Sequence, residues 1–275
     1  MVDKSKIVAM NQHYKNYSID CFLDVQERLG VRNIELWMSM QHFPLDYVSY
    51  GDCKALKKKL SARDLQIVAA TFPNCDFQYQ YGCQPKEHRK KCIGYFKQGI
   101  NAAVELGAKV VTCNSGWGYY NKSFDEGIAA TKEIISEVSY YAEQKNVILA
   151  METLTPEETN LIDDMYKLKS FIDDISSPAL KVMIDTVAMC QAGETMEQWF
   201  AMYGDDIRHM HFIDGGNSWE HLAWGDGVYS LNEMLDVMRK YGYDGFISQE
   251  LITDDYLKCP WDVDERNLCL LNKSL

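Results

Sequence analysis

Residues 207–215 read IRHMHFIDG and have the pattern of a buried β-strand that also carries polar side chains. Apolar residues occupy enough of its positions to suit a strand that is covered on both faces. His209 and His211 are two residues apart, so their side chains point to the same face of that strand. Asp214 and the glycines after it mark the carboxyl end of the strand and the turn that follows. A lone buried histidine is more often structural. The residues at the ends of the other predicted strands indicate whether these histidines have a function.

Three other apolar runs each end in an acidic residue: Glu152 follows VILAM, Asp185 follows KVMI, and Glu250 follows FISQ. A buried carboxylate is costly unless it is paired or bound to a metal. With His211, these residues would form a site of three carboxylates and one imidazole that shares one divalent cation. Such a ligand set favours Mn²⁺, which is the expected ion, or Mg²⁺ or Co²⁺, and it also accepts Zn²⁺. His209 should lie one layer deeper in the protein and have a structural role.

Predicted strands and helices alternate strictly along the chain. The strands are predicted at residues 6–12, 33–37, 66–72, 109–115, 147–154, 180–186, 207–214 and 245–251. The helices are predicted at residues 19–29, 53–63, 85–106, 123–145, 165–175, 195–202, 231–241 and 264–271. Eight such units are typical of a (β/α)8 TIM barrel, here one domain over residues 1–275. An open doubly wound sheet is the alternative, but no glycine-rich turn follows the first strand.

Composition excludes several classes of function. The net charge is −12, with 40 acidic and 28 basic residues, which argues against a nucleic-acid partner. No apolar run approaches the roughly 20 residues that span a bilayer, and the first ten residues lack the apolar core of a signal peptide. The 9 cysteines include no CxxC and indicate reduced thiols in a cytoplasmic protein. A small-molecule substrate is therefore expected, and homo-oligomerisation is left open.

The loops at the carboxyl ends of the predicted strands are rich in aromatic side chains and histidines. They contain His13, Tyr14, Trp37, His42, Phe77, Tyr79, Tyr81, Trp117, Tyr119, Tyr120, Trp219, His221 and Trp224. Any single one is best explained by packing within its loop. A ring of them at the active-site end of a barrel favours a pocket for a sugar or another flat or apolar substrate. Within this ring, the candidate substrate-binding residues are His13, Trp37, His42, Trp117 and His221.

The chain resembles the xylose-isomerase-like barrels of the sugar epimerase and isomerase type, and among them the ketose 3-epimerases of the fructoselysine 3-epimerase type. The resemblance covers the whole chain. It is carried by ETLTPEETN (152–160), MIDT (183–186), RHMHFID (208–214), HLAWGDG (221–227) and QELIT (249–253), together with His13, ELW (35–37) and His42.

The resemblance implies a mechanism as well as a fold. Glu152, Asp185, His211 and Glu250 would hold the metal. Glu152 and Glu250 would also be the acid–base pair that inverts C3 of a ketose through an enediolate. Glu158 would contact the substrate near C1 and C2.

Two positions depart from the simple D-ketose epimerases. Ala188 stands where those enzymes carry a histidine, and Asn217 stands where they carry an arginine. Both positions contact the substrate at C1 to C3 in the family. The expected substrate is therefore a modified sugar, such as a ketose-amine like fructoselysine or psicoselysine. No loop carries the basic, glycine-rich pattern of a phosphate site, which disfavours a sugar phosphate.

Other functions are compatible with the same barrel. An aldose–ketose isomerase or an inosose-type dehydratase would use the same ligands. A nuclease for apurinic sites would need three zinc ions and a basic groove, which 6 histidines and a charge of −12 do not favour. A sugar-binding protein without activity would not need Glu152 and Glu250 as two bases.

Overall fold

The computed structural model describes residues 2–74, 79–83 and 85–275 and contains a closed barrel of eight parallel strands. The strands neighbour one another in chain order, and β1 pairs with β8 to close the barrel. They are β1 Ile7–Met10, β2 Asn33–Trp37, β3 Gln66–Thr71, β4 Val110–Cys113, β5 Ile148–Met151, β6 Leu180–Asp185, β7 Ile207–His211 and β8 Ile247–Gln249. The predicted (β/α)8 barrel is confirmed. Phe77, one of the aromatic residues predicted at the pocket, lies outside the described residues.

The α-helices of the described residues surround this barrel. They are α1 Ile19–Leu29, α2 Tyr50–Ser61, α3 Lys86–Leu106, α4 Phe124–Gln144, α5 Met165–Ile175, α6 Thr186–Gln191, α7 Met196–Tyr203, α8 Leu231–Lys240 and α9 Pro260–Ser274. Helix α6 is not among the predicted helices. It begins directly after β6 because the Asp185 carboxylate accepts hydrogen bonds from the backbone N–H groups of Val187 and Ala188.

Local sequence signals explain most of the helix boundaries. Helices α2, α4 and α7 each begin with a capping box, in which Ser49, Ser123 and Thr195 are the N-cap residues. The box at Ser49 starts α2 at Tyr50, three residues before its predicted start. Helices α1 and α3 end at Gly30 and Gly107, whose positive φ values of 73° and 100° a glycine adopts without strain.

Buried apolar side chains of neighbouring strands pack against one another in the barrel. Ala69, Val110, Ala150 and Met183 form one buried cluster from four successive strands. The larger hydrophobic core joins the strands to the helices and contains fully buried residues such as Phe22, Ile34 and Trp199. No helix among residues 2–74, 79–83 and 85–275 is long and apolar enough to cross a membrane.

The last helix is attached to the first βα unit through one buried carboxylate. Asp264 in α9 accepts hydrogen bonds from the Tyr14 hydroxyl at 2.7 Å and from the Gln26 side-chain amide at 2.7 Å. Its other oxygen lies 2.8 Å from Nε2 of His13. Because these partners belong to the first βα unit, Asp264 connects the last helix of the barrel to its first unit.

We predict that Asp264→Asn lowers the free energy of unfolding by about 2–4 kcal/mol, because an amide leaves at least one of these buried donors without an acceptor. Urea denaturation measures the change. Glu265→Gln, at an exposed position of the same helix, is the control and should stay within about 0.5 kcal/mol of the wild type. Equal stability of the two variants would contradict the prediction.

Candidate metal centre

Four polar side chains converge at the carboxyl ends of β5 to β8. Nδ1 of His211 lies 2.8 Å from Oε2 of Glu250, and 3.6 Å from both Oε2 of Glu152 and Oδ2 of Asp185. All four residues are buried. Despite the short distance to Glu250, Nδ1 of His211 makes no well-aligned hydrogen bond. A buried imidazole nitrogen without a bonded partner, facing three carboxylates, fits a divalent cation.

The pKa shifts in this cluster also indicate that it needs positive charge. Burial, together with the negative charges of Glu250 and Asp185, raises the pKa of Glu152 well above its ordinary value, although His211 opposes the shift. Burial acts to lower the pKa of His211, but Glu250 and Glu35 outweigh it and raise that pKa. Three carboxylates at one site therefore need a proton or a cation among them.

His221 adds a second imidazole to the same cluster. Its Nε2 lies 3.1 Å from Oδ2 of Asp185 and 3.5 Å from Oε2 of Glu250. Its Nδ1 lies 2.7 Å from the carbonyl oxygen of Trp219, so Nδ1 carries a hydrogen and donates it. Burial lowers the pKa of His221, but Asp185 outweighs burial and raises it to about 10. The candidate substrate-binding residue His221 thus lies against two of the candidate ligands.

The loop that carries His221 is organised by Asp214. Its carboxylate accepts hydrogen bonds from the backbone N–H groups of Gly225, Gly227 and Tyr229 at 2.9 to 3.0 Å. A Cβ atom at Gly227 would lie 2.4 Å from Oδ1 of Asp214, so only glycine fits there. The GDG sequence of the HLAWGDG motif therefore has a structural reason.

Glu35 is a site residue whose role does not follow from the sequence alone. It is fully buried, and its oxygens lie 3.2 Å from Nε2 of His211 and 2.7 Å from Nε2 of His209. Burial raises the pKa of Glu35, but His209 and His211 outweigh it and hold that pKa well below its ordinary value. The available signal is a charged residue inside the apolar strand NIELW. His209 lies deeper and contacts Glu35, and its absence from the ligand set stays a prediction.

Glu158 lies beside the cluster on the loop after β5. One of its carboxylate oxygens accepts hydrogen bonds from the backbone N–H and the hydroxyl of Thr155, at 3.1 and 3.0 Å. Burial raises the pKa of Glu158, and the nearby His221 opposes this shift. On the other side of the cluster, the side-chain amide of Asn114 donates to Oε1 of Glu152 at 3.3 Å.

The other predicted substrate residues lie outside this cluster. His13 is buried against Asp264, and Asn217 is exposed. The backbone N–H of Trp37 and the ring of His42 both contact Asn11, at 2.7 and 2.6 Å. His42 also lines a cleft of about 300 Å³ between α1 and α2, whose lining contains none of the clustered carboxylates. Trp117 is half-buried and makes an edge contact with Tyr119. The substrate contacts of these residues stay predictions.

Comparison with known proteins gives similarities along most of the chain. A family model described as "Xylose isomerase-like TIM barrel" matches residues 23–267. A fructoselysine 3-epimerase from Shigella flexneri is 27% identical over 233 residues, which are 84% of each chain. A D-psicose 3-epimerase with D-tagatose from Clostridium cellulolyticum H10 superposes with a TM-score of 0.80 over 98% of both chains, at 16% identity. The IOLI protein with a zinc atom superposes with a TM-score of 0.77 over 98% of this chain and 96% of that chain, at 17% identity. The two structures share the fold of this chain.

We predict that a divalent cation stabilises the folded protein. At 100 times its dissociation constant, Mn²⁺ should add about 2.7 kcal/mol and raise the melting temperature by about 5 °C, and a chelator should reverse the effect. Glu152→Gln should abolish most of the shift, and its metal-free form should be at least as stable as the metal-free wild type because one buried charge is gone. The control, Glu157→Gln, changes an exposed neighbour and should keep the full shift. A wild type without any shift would contradict the prediction.

Proposed function

The chain belongs to the xylose isomerase-like TIM barrel family, and on that basis we propose that it is a divalent-metal-dependent sugar epimerase that inverts C3 of a ketose or ketose-amine. The observation that carries the proposal is the convergence of Glu152 and Glu250 on His211 from different strands. The similarity to a fructoselysine 3-epimerase over 84% of the chain supports it.

Glu152, Asp185, His211 and Glu250 would hold the cation in this proposal. When bound, a divalent cation polarises a ketose carbonyl and makes the neighbouring C–H more acidic. Mn²⁺ is the proposed ion because carboxylates dominate the ligand set, with Mg²⁺ and Co²⁺ as alternatives. The zinc atom named for one structural neighbour supports Zn²⁺ as a further alternative.

The two glutamates would divide the proton transfer between them. Glu152 follows β5 and Glu250 follows β8, so their carboxylates approach the centre from different sides of the barrel. One glutamate would remove the C3 proton to give an enediolate, and the other would return a proton to the opposite face. The hydrogen bond from Asn114 to Oε1 of Glu152 would leave Oε2 on the side of the substrate.

Charge at the site supports an amine-bearing substrate. Lys and Arg are absent from the buried residues of the described chain, whereas Glu152, Asp185 and Glu250 are buried together. Glu158 adds a fourth carboxylate beside His221. Because the other three carboxylates would hold the cation, Glu158 is the one that would pair with the secondary ammonium of a ketose-amine, as in fructoselysine, and the absence of buried Lys and Arg among the described residues disfavours a sugar phosphate. We propose no nucleic-acid or membrane partner.

A dehydratase or an isomerase on the same centre is the second candidate. The observation that favours it is His221, because an imidazole beside Asp185 and Glu250 could protonate a leaving hydroxyl group. Epimerisation and dehydration differ in product, since only the epimer keeps its ketone and every hydroxyl group.

We predict that each glutamate alone is essential for inversion. Glu152→Gln and Glu250→Gln should each lower the epimerisation rate by about 10²–10⁴-fold, because each direction needs both a base and an acid. In D2O, Glu250→Gln should still exchange the C3 proton of one epimer, and Glu152→Gln should exchange that of the other. NMR of fructoselysine and psicoselysine measures both rates.

Metal content must be measured in the same samples, because both residues are also proposed ligands. A metal-replete variant that keeps near wild-type epimerisation would rule out the two-base mechanism. Loss of a hydroxyl group as water, with the ketone kept, would instead identify a dehydratase, and conversion of the ketone to an aldehyde would identify an isomerase.

We predict that Glu158 contributes to the preference for a charged substrate. Glu158→Gln should lower kcat/KM for fructoselysine by about 10-fold or more, which is the loss of one hydrogen bond to a charged group. The loss for D-fructose should be smaller. Steady-state assays of both substrates measure the ratio, with Glu157→Gln as the exposed control. Equal losses for both substrates would show that Glu158 does not read the amine.

A further inference from the structure

The Glu35 side chain reaches across the inside of the barrel. It comes from β2, whereas His209 and His211 come from β7, and β8 and β1 lie between these strands. Oε2 of Glu35 lies 2.7 Å from Nε2 of His209, and Oε1 lies 3.2 Å from Nε2 of His211. All three side chains are fully buried.

A third partner holds the carboxylate in place. The hydroxyl of Thr71, at the end of β3, donates to Oε1 of Glu35. The hydroxyl of Thr112 in β4 donates in turn to Oγ1 of Thr71 at 2.8 Å. Donors from β3 and β7 therefore occupy both carboxylate oxygens, and rotation of the carboxylate would break at least one of these bonds.

This arrangement determines which nitrogen of His211 faces the candidate ligands. A carboxylate accepts hydrogen bonds, so Nε2 of His211 carries a hydrogen toward Glu35. Nδ1 then points toward Glu152, Asp185 and Glu250, where it has no well-aligned hydrogen bond. A ligating imidazole presents a lone pair, and a partner on its other nitrogen sets its tautomer and orientation.

We propose that Glu35 is a positioning residue of the metal centre, which acts through His211, with His209 and Thr71 fixing its two oxygens. This inference rests on the proposed function, since it assumes that His211 binds the cation. In this proposal Glu35 acts only through His211 and is not itself a ligand of the cation. This positioning role explains the presence of a charged residue in the interior of an apolar strand.

Calorimetric titration of the metal-free protein with Mn²⁺ tests the proposal without an activity assay. Glu35→Gln should weaken Mn²⁺ affinity by about 10–100-fold, because the amide cannot accept from all three donors. Asp264→Asn is the matched control, since it also replaces a buried carboxylate that contacts a histidine, here His13. This control should keep its affinity within about twofold of the wild type, because none of the hydrogen-bond partners of Asp264 is a candidate ligand.

A double-mutant cycle separates positioning from general destabilisation. In the His211→Ala background, Glu35→Gln should cause no further loss of Mn²⁺ affinity. If Glu35→Gln does not fold, Thr71→Val removes only one hydrogen bond to the carboxylate and should weaken affinity by about threefold to tenfold.

Three results would overturn the inference, in two different ways. A wild type that binds no Mn²⁺, Mg²⁺, Co²⁺ or Zn²⁺ overturns the proposed metal centre and the role of Glu35 with it. A wild type that binds Mn²⁺, with Glu35→Gln or Thr71→Val binding it equally well, overturns only the positioning role. An equal loss in Asp264→Asn does the same.

Discussion

The cost of burying negative charge shapes this protein more than any other constraint. Glu152, Asp185 and Glu250 are almost completely enclosed, and an enclosed carboxylate is unstable without positive charge or hydrogen-bond donors. The chain supplies these from two directions. His211 and His221 lie among the carboxylates, and backbone N–H groups of α6 contact Asp185. The fold thus holds several carboxylates close together and prevents them from moving apart.

The closed barrel makes that concentration possible. Parallel strands in chain order bring the ends of β5 to β8 to one edge, so the four candidate ligands reach the centre directly from the strand ends. The loop after β7 is longer, and Asp214 holds it by backbone hydrogen bonds around Gly225 and Gly227. A buried acid with no part in the cluster therefore keeps His221 in position. The rigid frame lets the cluster hold its geometry against mutual repulsion.

Much of the barrel and of the candidate site could be predicted from the sequence. The strand–helix alternation predicts the barrel, and acidic residues after apolar runs predict which side chains meet at its edge. Helix α6 does not emerge from periodicity, because a six-residue helix shows too little of a pattern and begins at a residue already assigned to a strand. Glu35 is harder, since its partners lie 174 and 176 residues away in the sequence. The contact of His13 with Asp264 spans 251 residues and likewise has no local signal.

The bridge from Asp264 to the first βα unit has a consequence for the growing chain on the ribosome. Tyr14 and Gln26 are synthesised 250 and 238 residues before their acceptor, Asp264. Strand β1 must likewise wait for β8 before its second edge is covered. Any fragment that ends before residue 264 therefore leaves Tyr14 and Gln26 without this acceptor, and a fragment that ends before β8 also leaves one edge of β1 unpaired, which makes an incomplete chain prone to aggregation.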